Sequence, residues 1–394
     1  MRIEFSRATG LIERVLYKDS NTTEQVRMSF AAYHSRPTES GAYLFKPTSN
    51  SATELFTSRK PTITVFKGTA SSTIQVNYTD ISYEVKLHNS HTPIGAAVEL
   101  KLLIDLEGKS VFNDREVVLR ISTPIRNTAS KDDGQQYRTF YVDSNGFTML
   151  QRHFIPETGV EGNYYPMTTG AFIEDASARF TVLSSSSHGV TSPEDGTIEI
   201  MLDRRIIEDD KRGLSQGITD NLPVELSFWL VFERSNSAEA SNKDYLGKLS
   251  PLADSLLLQL NYPPVVTYSY KGGNEVGVNQ YLVAPGLLCE HFLLNLRTLP
   301  LTTNFSTPSN SSLLLLHNRA STSTSKWQPR YPLGHCDTSP TVQSKQGLHL
   351  FNGLKVASIE ATSLTGMQSL RRLNSLAQLQ VPPFEINSYN ITFN

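Results

Sequence analysis

Apolar and polar residues alternate along much of the first 235 residues. A period of two is typical of strands that bury one face. The turn pairs Asp133-Gly134, Asn145-Gly146 and Asp195-Gly196 supply the positive φ angles that hairpins require. The pattern predicts an all-β fold of packed antiparallel β-sandwiches. Its clearest runs are 74–78, 81–87, 98–106, 117–121, 198–202 and 226–232.

Helical signals are few, and they predict one or two minor helices. Ser250-Pro251 has the order of an N-cap followed by a first-turn proline. A second set of apolar residues recurs at spacings that fit a helix. That set is Leu364, Met367, Leu370, Leu373 and Leu376.

A polar stretch divides the chain, which at 394 residues is long enough for more than one core. The segment SNSAEASNKD, residues 235–244, contains almost nothing to bury. We therefore expect a large β-sandwich domain over residues 1–235 and a second, smaller β domain over 245–394.

Charge and composition exclude several classes of protein. The 36 Lys and Arg balance 38 Asp and Glu, so no basic surface for nucleic acid is expected. No apolar run reaches the roughly 20 residues that span a bilayer, and the N-terminus lacks the apolar core of a signal peptide. Whether Cys289 and Cys336 pair, and which oligomeric state the chain adopts, stay open.

Candidate chemistry concentrates in residues 163–169 and 203–213. Arg204 and Arg205 follow the strand pattern of 198–202, so their side chains should point to opposite faces. One guanidinium could then reach a ligand while the other pairs with Asp209 or Asp210, although a solvated ion-pair corner fits the pattern better.

Two further clusters are weak as sites. Ser184–Ser187 next to His188 indicates a serine-rich turn, because adjacency in sequence is not triad geometry. His335-Cys336-Asp337 groups three metal-ligand types, but a tetrahedral site usually draws its ligands from separated segments.

Longer motifs resemble the C-terminal region of the class II α-mannosidases, glycoside hydrolase family 38. They are SGAYLF with Pro47, FYxDSNGF at 140–147, NYYPMTTGAFIED at 163–175, the DRR-containing stretch at 196–221, and CEHFLLNLRTL at 289–299. Met-Thr-Thr after NYYP and the context of the DRR motif are similar to the Golgi branch. The DSNG wording is closer to the lysosomal branch.

The resemblance implies the β-domain portion of a zinc-dependent retaining α-mannosidase that trims α-linked mannose from N-glycan intermediates in the Golgi lumen. In that family the zinc ion and the catalytic residues belong to an N-terminal barrel. This chain would therefore bind no metal, carry no catalytic residue and be inactive by itself. Its partner would be a mannose-containing glycan. The alternative is a non-catalytic carbohydrate-binding or scaffold protein derived from the same family.

The resemblance also implies a contribution to the sugar site from Tyr43 of SGAYLF and from Arg204 or Arg205 of the DRR motif. A tyrosine hydroxyl both donates and accepts hydrogen bonds, and a guanidinium donates in a fixed fork. If they share one sugar pocket, the Tyr43 hydroxyl should lie within about 12 Å of one guanidinium. The NYYP run, residues 163–166, is expected to brace the domain against the N-terminal barrel of the family.

Overall fold

The computed structural model describes residues 1–17, 21–57, 59–130, 136–143, 145–235, 247–266, 291–319, 327, 351 and 354–394. The chain forms two compact units, Met1–Pro263 and Pro264–Asn394. The polar segment at which the sequence places a domain boundary lies mostly outside the described residues. The boundaries 1–235 and 245–394 therefore stay a prediction.

The first unit is built from strands, with short 3-10 helices at Pro93–Ala96, Ser110–Phe112, Pro156–Thr158 and Val160–Asn163. The strands are β1 Arg2–Phe5, β2 Ile12–Tyr17, β3 Thr22–Gln25, β4 Arg27–His34, β5 Thr53–Glu54, β6 Thr62–Lys67, β7 Ser71–Asn77, β8 Ile81–His88, β9 Ala97–Ile104, β10 Arg115–Ser122, β11 Thr128–Ser130, β12 Gln136–Asp143, β13 Met149–Phe154, β14 Tyr165–Met167, β15 Gly170–Glu174, β16 Ala178–Ser184, β17 His188–Thr191, β18 Thr197–Arg205 and β19 Val224–Arg234.

These strands form three antiparallel sheets. The largest follows the order β11-β12-β15-β16-β19-β9-β8-β7-β6, with β13 added beside β12. A six-stranded sheet has the order β14-β17-β18-β10-β4-β5, and β1-β2-β3 form the third. Apolar side chains of the two larger sheets share one core, so the sandwich predicted from the sequence is confirmed. Each of the strand runs predicted from alternation falls on a strand.

The six-stranded sheet has two covered faces. Its inner face carries the cross-strand row Phe30, Leu119 and Ile200, which joins the main core. Its outer face carries the buried Val118 next to the partly buried Met201, and loops cover it. A sheet with both faces covered needs apolar residues at consecutive positions, which explains the continuous burial of β4.

A β-bulge interrupts this sheet close to the end of β18. Val118 pairs with Met201, but Val117 pairs with Asp203, so Leu202 is the extra residue. The bulge reverses the alternation beyond it. Arg204 therefore pairs with Glu116 on the outer-face row, and Arg205 pairs with Arg115 on the row of the opposite face.

The helix predicted at Ser250-Pro251 is confirmed as α1, Pro251–Asn261. The Ser250 Oγ accepts a hydrogen bond from the Ala253 amide at 3.0 Å and donates to the Glu233 carboxylate at 2.7 Å. Leu252, Leu256 and Leu257 bury the inner side of the helix against the largest sheet. The cap and the apolar stripe together define the helix.

The second unit has one five-stranded antiparallel sheet in the order β20-β21-β24-β22-β23. Its strands are β20 His291–Pro300, β21 Pro308–Asn318, β22 Val356–Thr362, β23 Ser369–Leu373 and β24 Ile386–Phe393, with a 3-10 helix at Leu376–Gln378. Leu314, Leu316 and Tyr389 lie in its core.

The second helix predicted from the sequence is wrong. Residues 369–373 form β23 instead, which pairs with β22 through the register Glu360 to Arg372. Of the five apolar residues that suggested the helix, Leu373 is buried at 5%, whereas Met367 and Leu370 are 85% and 66% exposed. Their spacing did not describe an apolar face that the fold buries.

Ser250→Ala should destabilise the first unit by about 1–3 kcal/mol, because it removes a helix cap and leaves the buried Glu233 without its hydroxyl donor. The free energy of unfolding in urea measures the effect. Ser255→Ala, in the same helix but outside the cap, is the control, and an equal loss in both variants would contradict the role of the cap.

Candidate functional site

Tyr43 lies on a turn between β4 and β5, residues 40–46, here called the Tyr43 turn. Its side chain is 64% exposed. The Gly41 amide donates to the Leu44 carbonyl at 3.1 Å and closes the turn. At its base, the buried Ser40 hydroxyl donates to the Lys46 carbonyl at 2.7 Å and accepts from the Lys46 amide at 3.0 Å. The backbone is thus fixed while the tyrosine ring faces solvent.

Asp210 holds the backbone amides of this turn. Its Oδ2 accepts from the Tyr43 amide at 2.7 Å and the Leu44 amide at 3.0 Å, and its Oδ1 accepts from the Arg212 amide at 3.2 Å. Although burial acts to raise the pKa of Asp210, these amide donors lower it below its usual value. A Cβ added to Gly41 would lie 2.5 Å from the Asp210 nitrogen, so the close approach requires glycine.

Arg204 holds the carbonyl groups of the same turn. Its Nη2 donates to the Leu44 carbonyl at 2.9 Å, and its Nη1 makes a longer contact with the Ala42 carbonyl at 3.5 Å. Nη2 also donates to the carboxylate of Glu116, which is 2% exposed. The guanidinium therefore contacts the backbone on both sides of Tyr43.

Burial raises the pKa of Glu116 to about 7, and the positive charge of Arg204 opposes that rise. Glu116 lies one strand away from Arg204 and directly opposite it in the register of β10 and β18. The pair is thus a buried carboxyl group in contact with a guanidinium, directly beneath the Tyr43 turn.

The Arg205 guanidinium makes its hydrogen bonds away from the Tyr43 turn. Its Nε donates to the Asn113 side chain at 3.0 Å, and its Nη1 donates to the Thr219 carbonyl at 2.8 Å and to the Asn221 side chain at 3.1 Å. In the part of the chain that the structure describes, neither arginine forms the ion pair with Asp209 or Asp210 that the sequence allowed. The structure brings Arg204, and not Arg205, to the backbone around Tyr43.

A second buried carboxylate, Glu199, lies on the same face of the sheet. Its Oε1 accepts from the Tyr33 and Tyr164 hydroxyls, each at 2.6 Å, and its Oε2 accepts from Arg120. The Phe45 ring of the Tyr43 turn packs edge-on between the two tyrosines, with centroids 5.5 Å from each. Burial and the charge of Glu199 raise the pKa of both tyrosines, which keeps their hydroxyls protonated as donors.

The sequence did not predict this network. Glu199 occupies the polar position of an alternating run, which is what a solvent-facing residue of a strand looks like. Tyr164 of NYYP donates to Glu199 of the same unit, and a role of this run in bracing the domain against a barrel stays a prediction. Asn163 is buried and holds the preceding loop, since its amide group bonds the Ile155 amide and the Ile155 and Gly159 carbonyls.

The serine-rich turn predicted at 184–187 is confirmed as a turn. The Ser186 hydroxyl lies 3.0 Å from Nε2 of His188, and Nδ1 of the same ring lies 2.9 Å from the Met201 carbonyl oxygen. The amides of Ser185 and Ser186 already donate to Ser227 and Ser184. They are therefore not available to stabilise an oxyanion.

Within the described ranges, no three His, Cys, Asp or Glu side chains gather closely enough to hold a metal ion. His335-Cys336-Asp337 and Cys289 lie outside those ranges. None of the helices that the structure describes has the length and apolar character needed to cross a bilayer.

Comparison with known families places residues 1–212 in the family described as "Glycosyl hydrolases family 38 C-terminal domain". Among curated proteins, the chain is 30% identical to Alpha-mannosidase 2 of Spodoptera frugiperda, with 100% of this chain and 36% of that protein covered. It is 30% identical to Alpha-mannosidase 2x of Mus musculus, with 99% and 33% covered, and 29% identical to Alpha-mannosidase 2 of Homo sapiens, with 97% and 32% covered. The chain spans about a third of the length of these relatives.

A solved structure shares the fold. The crystal structure of an alpha-mannosidase from Enterococcus faecalis V583 superposes with a TM-score of 0.60 at 10% sequence identity. The match covers 98% of this chain and 41% of that one. At this identity the likeness is one of fold.

Glu116→Gln should flatten the pH dependence of stability. Because burial raises the pKa of Glu116 from 4.5 to about 7, the folded chain keeps a proton in that interval that the unfolded chain releases. The contribution of Glu116 to the free energy of unfolding is therefore fully present below about pH 4.5 and falls as the pH rises to about 7.

Urea unfolding at several pH values across this window measures the slope. Glu225→Gln, an exposed change in β19, is the control and should leave the slope as it is in the wild type. A slope that Glu116→Gln leaves unchanged would show that Glu116 does not titrate in this interval.

Proposed function

The chain belongs to the glycosyl hydrolases family 38 C-terminal domain family, and on that basis we propose that it is the β-sandwich portion of a Golgi-type retaining α-mannosidase acting on mannose-containing N-glycans. We propose that its Tyr43 turn contacts the mannose. One observation carries this proposal: the Arg204 guanidinium binds the backbone on both sides of a tyrosine whose ring is 64% exposed.

The chemistry of these two side chains suits a sugar. The Tyr43 hydroxyl can donate to one sugar hydroxyl and accept from another, and its ring can cover the apolar C–H face of a pyranose. Arg204 Nη1 carries two N–H groups and makes a single long bond to Ala42, which leaves it able to donate to a sugar hydroxyl. Arg204 is therefore the arginine we assign to the site, and Arg205 is assigned a structural role.

No catalytic step is assigned to residues of this chain. A retaining glycosidase needs two carboxyl groups about 5–5.5 Å apart across the scissile bond. The carboxyl groups next to Tyr43 are engaged, because Asp210 accepts three backbone amides and Glu116 contacts Arg204. The resemblance implies zinc in the intact enzyme, but the described residues offer no ligand set that fits it. In this proposal the catalytic groups and the zinc lie in the part of the enzyme outside this chain.

The second candidate is a non-catalytic carbohydrate-binding protein. It is favoured by the way the backbone of the Tyr43 turn is fixed within this chain, so that a sugar could bind there without a catalytic part. The two candidates differ in whether an enzyme containing this chain cleaves an α-mannoside, and they share the Tyr43 contact.

Tyr43→Ala should weaken binding of methyl α-mannoside to the 394-residue chain, and Tyr43→Phe should weaken it roughly 2- to 12-fold through loss of one hydroxyl hydrogen bond. NMR titration measures both. Tyr262→Ala removes a tyrosine of equal exposure in the same unit and is the matched control. Equal binding by wild type and Tyr43→Ala would reject the proposed contact.

The 394-residue chain supplied with zinc should not cleave a chromogenic α-mannoside, because the proposal places the catalytic carboxylates elsewhere. Release of the chromophore measures turnover. Cleavage that survives repurification and is lost in a variant of a carboxylate of this chain would overturn that placement.

A further inference from the structure

The Tyr43 turn is held by two buried carboxyl groups from different parts of the chain, Glu116 in β10 and Asp210 in the loop between β18 and β19. We propose that Asp210 and Glu116 are positioning residues for the Tyr43 ring, Asp210 through the amides of the turn and Glu116 through Arg204. This inference rests on the proposed sugar contact of Tyr43, and it assigns neither carboxyl group to the sugar itself.

Asp210 acts directly on the turn. One oxygen accepts two consecutive amides, Tyr43 at 2.7 Å and Leu44 at 3.0 Å, while the other accepts the Arg212 amide. Two donors converging on one carboxylate oxygen fix the orientation of the peptide planes on either side of the Tyr43 Cα. That orientation sets the direction in which the Tyr43 side chain leaves the backbone.

Glu116 acts on the turn indirectly, through Arg204. Its carboxylate receives Arg204 Nη2, and the same nitrogen donates to the Leu44 carbonyl at 2.9 Å. A guanidinium is a rigid plane, so a carboxylate fixed at one side determines where its other N–H groups point. Glu116 thereby aims Arg204 at the carbonyls of the turn while Asp210 takes the amides.

Other contacts also hold the turn. Position 41 has no room for a side chain next to Asp210, and the Phe45 ring packs between the buried Tyr33 and the partly buried Tyr164. Tyr43 donates its amide to Asp210 and lies between the two carbonyls that Arg204 contacts, those of Ala42 and Leu44, yet it is itself 64% exposed. Holding the backbone of an exposed aromatic residue this tightly reduces the entropy that its ring would lose on binding a ligand.

The first test is amide hydrogen exchange in the 394-residue chain. Asp210→Ala should speed exchange at the Tyr43 and Leu44 amides about tenfold or more, the factor expected when a charge-assisted hydrogen bond is lost, and Asp210→Asn, which keeps one oxygen but no charge, should speed it less. Asp209→Asn is the matched control, because Asp209 accepts the Lys211 amide and no amide of the Tyr43 turn. Unchanged exchange at both amides in both Asp210 variants would overturn the role of Asp210.

The second test is a double-mutant cycle on methyl α-mannoside affinity. Asp210→Ala should weaken binding about fivefold or more in the wild-type chain and should have no further effect in Tyr43→Ala, because it acts through that ring. An equal loss in both backgrounds would show that Asp210 acts elsewhere and would overturn the proposal. If the wild-type chain does not bind the mannoside, the proposed function fails, and amide exchange alone decides whether Asp210 holds the turn.

Glu116 is tested by comparing two substitutions. Glu116→Gln keeps an oxygen that accepts from Arg204 and should retain most of the mannoside affinity, whereas Glu116→Ala should weaken binding about as much as Asp210→Ala. The far-ultraviolet spectrum and the cooperativity of unfolding show whether both variants fold. If Glu116→Ala folds and leaves the affinity and the Leu44 exchange rate unchanged, Glu116 is not a positioning residue.

Discussion

Two carboxyl groups buried on the outer face of the six-stranded sheet determine how that face is covered. A buried carboxyl group costs free energy unless donors surround it. Glu199 accepts hydrogen bonds from two tyrosine hydroxyls and from Arg120, and Glu116 accepts one from Arg204. Because Tyr164 enters from a loop and Arg204 also binds the Tyr43 turn, satisfying the carboxyl groups draws both covering segments onto the sheet. The position of the candidate site follows from this requirement.

The β-bulge at Leu202 determines whether Arg204 or Arg205 faces the Tyr43 turn. Strict alternation from Ile198, Ile200 and Leu202 would place Arg204 on the inner face with those residues. The extra residue reverses the order, so Arg204 meets Glu116 on the outer face while Arg205 turns to the loop at residues 219–221. A bulge of one residue thus decides which guanidinium reaches the backbone around Tyr43.

Much of the fold could be predicted from the sequence, because a strand that buries one face has apolar residues at every second position. The strands at 98–106 and 226–232 were predicted this way, whereas the helix after Ser250 was predicted from its N-cap and first-turn proline, and the structure contains all three. The failed helix near Leu370 shows the limit of the method, since spacing alone does not reveal whether apolar residues are buried. The candidate site could be predicted less well from the sequence. The bulge, the burial of Glu199 and the hydrogen bond between Asp210 and Tyr43, which is 167 positions away, all depend on tertiary packing.

The chain shares its fold with an Enterococcus faecalis alpha-mannosidase at 10% identity, so the sandwich tolerates extensive replacement of its residues. Most polar residues singled out in the sequence have a structural explanation. Asn163 and Tyr164 form hydrogen bonds that hold the segment covering the sheet, and Arg205 donates to Thr219 and Asn221. Tyr43 has no such explanation. Its amide donates to the Asp210 carboxylate and the Arg204 guanidinium binds the adjacent Leu44 carbonyl, while Tyr43 itself is 64% exposed. Burial therefore does not account for a tyrosine at this position, and the proposed contact with a sugar would account for it.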